Sequence, residues 1–193
     1  MRKVLVIAGP SAAGKTTVMK HLVSQYGKFE LVRSATTRAP RGDGHDSEYV
    51  YLSADEFKSR IEKKQMLEYT EYGGNLYGTP LSEVDRIFRE GKIPLLILDI
   101  NGVLSLKRNT ERFKTVAVYI TADMQTLDDR LEERARASGN TDSALAALEK
   151  RKLQNRRDII TVSQNGDKFD ALIANDDIKV CAEHIYELFT HSI

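Results

Sequence analysis

One cysteine, no tryptophan and four prolines are all that the 193 residues hold of these types. The single thiol, Cys181, excludes an internal disulfide and a thiolate metal cluster, and its place in a helical pattern near the C-terminus reads as an ordinary buried thiol. The four histidines, His21, His45, His184 and His191, show no metal-ligand spacing and read as surface or structural groups. Charge of one sign is missing too. Against 29 basic residues stand 28 acidic ones, a net +1, so the chain lacks the basic excess that drives attachment to nucleic acid, and any anion site has to be local. No run of 18 apolar residues appears, which excludes a membrane-spanning helix, and the five apolar residues after Met1-Arg2-Lys3 are too few for a signal-peptide core. Repeats, low-complexity tracts and Pro/Gly/Ser linkers are absent as well. With 41% apolar and 30% charged residues, the expectation is one soluble, cytoplasmic, globular domain with a substantial core, without a nucleic-acid or membrane partner.

What is present has α/β rhythm. Val4 to Ala8 is a continuous apolar run ending in Gly-Pro, as in a strand buried on both faces of a parallel sheet. Val18, Leu22 and Tyr26 recur at helical spacing, predicting a helix from Gly14 to about Gln25. From Ser34 to Tyr77 short alternating runs, broken by Arg41-Gly42-Asp43-Gly44 and Gly73-Gly74-Asn75, predict a small β-rich insert. Inside it Ser53-Ala54-Asp55-Glu56 matches a capping box opening a helix to about Lys64. Thr79-Pro80 reads as an N-cap followed by proline at the first helical position, with a helix to about Glu90. Ile93–Asp99 and Thr115–Ile120 are further buried strands. The charged stretch from Met124 to Asp158 is helical with a break at Ser138-Gly139-Asn140, and a strand near Asp170–Ala174 precedes an amphipathic helix from Ile178 to Phe189.

Gly9-Pro10-Ser11-Ala12-Ala13-Gly14-Lys15-Thr16 satisfies G-x-x-x-x-G-K-[ST] between a predicted buried strand and a helix, the context that confirms a phosphate-binding loop. Backbone N–H groups from Gly9, Ser11, Ala12, Ala13 and Gly14 onward, with Thr17 following, would converge on nucleotide phosphate at the helix N-terminus. Lys15 would reach the β- and γ-phosphates and the Thr16 hydroxyl would ligate magnesium. Asp99, at the end of an apolar strand, reads as a second magnesium-facing carboxylate or as a strand-end turn residue. Arg130 and Arg134, four apart on the helix of Leu127 and Leu131, emerge on one face and can converge on one anion. They can equally belong to a solvated helix laced with ion pairs to Asp129, Glu132 and Glu133.

A phosphate loop leaves the acceptor open. In order along the chain, Gly-Pro-Ser-x-x-Gly-Lys-Thr, Ser34-Ala35-Thr36-Thr37-Arg38-Ala39-Pro40-Arg41, Glu48-Tyr49-Val50-Tyr51, Leu67-Glu68-Tyr69, Asn75-Leu76-Tyr77-Gly78-Thr79, Leu98-Asp99-Ile100 and Asn175-Asp176-Asp177 resemble the guanylate kinase family over nearly the whole length. The resemblance implies a three-layer P-loop kinase core with a parallel sheet, a β-rich GMP-binding insert at about 34–79 and a helical lid at about 124–158. The core then takes about 1–33, 80–123 and 159–193. It implies transfer of the γ-phosphoryl of ATP to GMP or dGMP with Mg2+, by a monomer or homodimer.

Residue by residue, the resemblance assigns the GMP phosphate to Ser34, Arg38, Arg41, Tyr49 and Tyr77, and two guanidinium forks among hydroxyls suit a dianion. Without it, Arg-Ala-Pro-Arg would be a solvated loop and the tyrosines packed aromatics. Glu68 is the base reader, because guanine offers N1–H and N2–H side by side to a carboxylate; otherwise it is an exposed edge-strand acid. Thr79 could donate to guanine O6. Arg130, Arg134 and, in Ala147-Leu148-Glu149-Lys150-Arg151, Arg151 become lid arginines that neutralise the transferring phosphoryl group. Asn175 becomes a contact to adenine rather than a turn residue.

Two places depart from the family. Asn101 stands where a second acidic residue is usual and its segment is shortened, which puts one contact to the guanine amino group in question. The stretch between Arg134 and Arg151 is also long. Two other readings fit parts of the pattern: a kinase for another phosphate ester such as a ribose bisphosphate, which would not need Glu68, and a non-catalytic module that binds phosphorylated peptides, which would need neither Lys15-Thr16 nor the arginine lid.

Overall fold

A computed structural model describes residues 2–40, 46–72, 74–109 and 112–192. In chain order the first elements are β1 (Lys3–Ala8), α1 (Lys15–Tyr26), β2 (Phe29–Leu31), β3 (Ser34–Thr36), β4 (Tyr49–Tyr51), α2 (Ala54–Glu62), β5 (Met66–Tyr72) and β6 (Asn75–Pro80). There follow α3 (Leu81–Arg89), β7 (Ile93–Ile97), α4 (Ile100–Asn109), β8 (Lys114–Thr121), α5 (Met124–Ala137), α6 (Asp142–Gln164), β9 (Ala171–Ala174) and α7 (Ile178–His191).

The central sheet runs β2-β7-β1-β8-β9 with every neighbouring pair parallel. Alternate residues of β1 enter two different cores. Val4, Val6 and Ala8 pack with Val84 and Ile87 of α3 and Val103 and Leu106 of α4. Leu5 and Ile7 pack with Val18 and Leu22 of α1 and Ala182 and Ile185 of α7. Both faces being covered, Val4 through Ala8 are all 0% exposed, which is why the strand reads as unbroken apolar sequence rather than as an alternation. Cys181 is buried in the second core, and loss of water pushes its thiol up to about 11, an inert group. Among the described residues no helix is long and apolar enough to cross a membrane.

Residues 34–80 build a second sheet, ordered β4-β3-β6-β5, in which β5 and β6 form an antiparallel hairpin and β3 pairs parallel with β4. The capping box forms in full: Ser53 accepts from the Glu56 N–H and the Glu56 carboxylate accepts from the Ser53 N–H. The register of β5 on β6 shifts between Met66 and Tyr69. Adjacent residues of a regular strand face opposite sides, but at this irregularity Leu67 and Glu68 are both buried. Glu68 is therefore not an exposed edge acid.

Thr79 corrects the sequence reading. It lies in β6, the residue preceding α3 is Pro80 and caps nothing with a side chain, and the Thr79 hydroxyl is turned to Glu68 instead. Two elements were not anticipated. β2 is a three-residue edge strand, too short to carry a pattern, held by parallel pairing of Phe29 to Leu31 with β7. α4 starts at Ile100 inside the shortened segment, with the Asp99 carboxylate accepting from the Gly102 N–H at 2.7 Å, the bond an N-cap makes. The helical stretch expected to stop near Asp158 also runs on to Gln164.

Candidate active site

Strand β1 ends against its neighbour, and that fixes the loop after it. Gly9 has φ 154, and a Cβ there would run into the backbone carbonyl of Ile120 on β8. Because the obstacle is central-sheet backbone, Gly9→Ala should cost about 3 kcal/mol or more, and a thermal melt should show a midpoint lower by roughly 10 °C. A midpoint within two degrees of the parent would refute the collision. Gly14 opens α1 with φ 88, and its missing Cβ leaves the space taken by Asn175 Nδ2, which donates to the Ala13 carbonyl at 2.8 Å.

The loop thus curls over the α1 N-terminus, whose first-turn N–H groups have no intrahelical acceptors and carry the positive end of the helix dipole. Lys15 Nζ donates to the carbonyls of Gly9 and Pro10, each at 2.8 Å. Burial lowers the Lys15 ammonium to about 8, and Asp158 and Asp99 oppose the shift through space. A buried ammonium at a helix N-terminus is a site for a polyanion.

Three clefts adjoin here. The largest, about 950 Å³, is lined by Ser11, Ala12, Gly14, Lys15, Thr16 and Thr17 together with Arg130, Arg134, Arg151 and Asn175. A middle cleft of about 440 Å³ shares Ser11, Lys15 and Gln154 with the first and adds Asp99, Asn101 and Asp158. The third, about 220 Å³, shares Thr70, Leu98 and Asp99 with the middle one and is walled by Ser34, Tyr49, Glu68 and Tyr77. Of the residues assigned from sequence, these clefts gather the loop, the three arginines and Asn175 at one end and Ser34, Tyr49, Glu68 and Tyr77 at the other.

The arginines are presented by the α5–α6 pair. Asp123 caps α5 and Thr141 caps α6, each accepting a backbone N–H three residues on. Arg130 crosses the loop, its guanidinium donating to the carbonyls of Ala12 at 3.3 Å and Asn175 at 3.4 Å. Of the acids that a solvated helix would pair with these arginines, Glu132 bonds Lys152 across the two helices at 2.7 Å and Asp129 accepts from Gln125 at 2.8 Å.

At the far end Glu68 is 6% exposed, and its Oε1 accepts from the Thr79 hydroxyl at 2.7 Å. With Glu68 ionised only Thr79 can supply that proton, so here the Thr79 hydroxyl is engaged with the carboxylate and orients it. Burial, helped by the nearby Asp99, pushes Glu68 up to about 7. Its native form holds more protons than the unfolded chain between about pH 4.5 and 7, so this group withdraws stability as pH rises through that window. Arg38 lies with its guanidinium 5.3 Å from the ring centre of Tyr49 and 5.9 Å from that of Tyr51, outside the third cleft's lining. Asn101 is exposed and lines the middle cleft. Arg41 falls outside the described residues.

Three residues of α6 were missed from sequence. Gln154 lines two clefts, Asp158 faces Lys15, and burial raises its carboxyl. Asn155 is 0% exposed and holds both backbone groups of Ser11: Oδ1 accepts from the Ser11 N–H at 2.8 Å and Nδ2 donates to the Ser11 carbonyl at 3.0 Å. Their only sequence signal was period: Arg151, Asn155 and Asp158 share one helical face.

Comparison with known proteins gives one consistent result. A family model described as guanylate kinase matches residues 1–192. The chain is 36% identical over 184 residues to a guanylate kinase of Lactobacillus delbrueckii subsp. bulgaricus, covering 94% of this chain and 84% of that protein. It is 34% identical over 190 residues to one of Chlamydia muridarum, covering 97% and 86%. Among solved structures, the crystal structure of guanylate kinase from Anaplasma phagocytophilum superposes with a TM-score of 0.69 at 24% identity, over 98% of this chain and 85% of that one, a likeness of fold.

Proposed function

Because this chain belongs to the guanylate kinase family, and is an enzyme that phosphorylates GMP with ATP, we propose that its three clefts seat donor, transfer point and acceptor in turn. The observation that carries the assignment is their continuity: Lys15 is common to the first and second clefts, and Asp99 to the second and third. A γ-phosphoryl held by Lys15 therefore stands between the two substrate pockets.

In this reading ATP phosphates lie on the N–H groups that open α1, from Gly14 to Thr17, beneath the loop, with Arg130, Arg134 and Arg151 around them. Asn175 Oδ1, buried without a hydrogen-bond partner, offers an acceptor to the adenine amino group. GMP places its phosphate among Ser34, Tyr49 and Tyr77, with Arg38 and, by the family resemblance, Arg41, and its base against Glu68, held in line by Thr79. Asn101 serves the middle cleft. An acceptor phosphate oxygen, already ionised near neutral pH, attacks the γ-phosphorus; the bond from that phosphorus to the β–γ bridging oxygen breaks and ADP leaves. No general base is needed, and positioning with charge stabilisation suffices. Residues 34–79 act as the GMP-binding unit and 124–158 as the lid on the rest as core.

The oxygen donors suit Mg2+, which is held by one or two carboxylates plus substrate phosphates rather than by a closed protein cage. Among the described residues no group of three acidic, histidine or cysteine side chains forms such a cage. Thr16 and Asp99 would hold the ion, Asp99 through the oxygen that α4 does not use. When bound, magnesium neutralises charge on the transferring phosphates. A single buried thiol and nucleotide substrates suit a cytoplasmic enzyme. Neither a ribose bisphosphate nor a phosphopeptide accounts for a buried, oriented Glu68 at the acceptor end.

A coupled ADP-release assay across acceptors tests the reading: GMP and dGMP should support turnover and AMP far less. Release with sugar phosphates alone would overturn it. A pH profile adds a sharper expectation. Guanine needs the carboxylate form of Glu68, so kcat/KM for GMP should rise through pH 7. Glu68→Gln should lower it about 100-fold and abolish that limb, leaving the GMP phosphate's own ionisation near pH 6. Persistence of the pH 7 limb in the variant would exclude Glu68 as its source.

A further inference from the structure

Helix α6 buries little: its buried positions are Asn155, at 0% exposure, and Val162. Where a helix built only for stability would place a hydrophobe, α6 places an amide whose two hydrogen bonds both go to the backbone of one loop residue, 144 positions earlier. An amide is the side-chain type that accepts and donates from one plane at this length. A carboxylate only accepts and an ammonium only donates.

We propose that Asn155 is a positioning residue for the phosphoryl donor, fixing the peptide planes on both sides of Ser11 and thereby setting which loop N–H groups remain for phosphate. The Ser11 N–H and carbonyl are both taken up by α6. Within the loop the Ala13 N–H turns back to the Pro10 carbonyl at 3.3 Å. The N–H groups that open α1 are left for the anion, as a phosphate site at a helix N-terminus requires. Arg151 sits one turn before Asn155 and Asp158 one turn after it, so the same bond pair registers an arginine of the donor cleft and a carboxylate facing Lys15 against the loop. The inference rests on the assignment of ATP to this loop.

The test is Asn155→Ala with ATP and GMP varied separately, alongside hydrogen exchange at the Ser11 amide. The KM for ATP should rise about tenfold with a fall in kcat, the KM for GMP should stay within about twofold, and Ser11 exchange should accelerate at least about tenfold. An ATP KM within twofold of the parent overturns the proposal, and so does an equal rise of both KM values, which would mean general loosening. If the alanine variant does not fold, Asn155→Asp decides, since it keeps the acceptor and loses the donor. An ATP KM raised at least about threefold at constant GMP KM supports the role. An unchanged one overturns it. Lys15→Ala in parallel separates two failures. If it is impaired while Asn155→Ala is normal, only this inference falls; if Lys15→Ala is normal, the loop assignment falls with it.

Discussion

Replacing Lys15 by alanine should lower kcat at least about 1,000-fold while GMP still binds and the fold is kept. The expected size follows from what the ammonium does. It is a preset positive charge in a partly dehydrated cleft, placed where charge spreads over the transferring group, and losing one such stabilising group typically costs about 100- to 1,000-fold or more. The ammonium donates to the carbonyls of Gly9 and Pro10, but burial already disfavours its charged form, so little stability should be lost. Initial rates of ADP release with GMP in excess, circular dichroism and GMP titration together measure this, and an undiminished rate would refute the role. The same lysine sets an alkaline limit. At about 8 its proton is lost within the working range, so kcat/KM for ATP in the parent enzyme should fall above pH 8. Bound polyphosphate stabilises the ammonium, so kcat itself should fall only at higher pH.

Arg130→Ala should cost about 100- to 1,000-fold in kcat with a smaller change in KM for either substrate. The guanidinium carries five N–H donors, and two of its nitrogens are spent on the carbonyls of Ala12 and Asn175, a bridge that aims the rest across the donor cleft. A charge so aimed acts chiefly where negative charge is redistributed, in the transition state. Arg130→Lys should recover little, because an ammonium cannot span two carbonyls and still present a fork. Steady-state kinetics on the two variants decide it: a lysine enzyme with parental kcat would reduce Arg130 to a point charge, and an alanine enzyme with parental kcat would remove it from the reaction.

These expectations draw on parts of the chain that were unequally legible. The loop and its flanks were plain, since a strand covered on both faces must be apolar throughout and a phosphate cradle demands glycines at set spacing. α4 was hidden because its cap, Asp99, is a residue type equally at home as a metal ligand, and because Gly102 interrupts the helical pattern. Glu68 could be named but not its burial, which depends on a register shift that only pairing with β6 creates. Thr79-Pro80 did mark the start of α3 to within a residue, but pairing in β6 and the Glu68 carboxylate take Thr79, so the helix opens without the side-chain cap that local chemistry suggested. Asn155 was invisible for the plainest reason: both its partners are distant in sequence, and nothing in a charged helical stretch distinguishes an asparagine clamped to backbone from one in water.

The attachment of α6 at Asn155 makes the helix a lever with its fulcrum well inside its length. At ~1.5 Å per residue, Asp142 at the tip lies about 20 Å from the fulcrum and Arg151 only about 6 Å. A tilt of about 10° around Asn155 would sweep the tip through about 3.5 Å and shift the Arg151 backbone by only about 1 Å. In such a tilt Arg151 would stay close to its post. The long arm of α6, from Asp142 to Asn155, would turn a small adjustment at the loop into a larger excursion at the turn around Gly139.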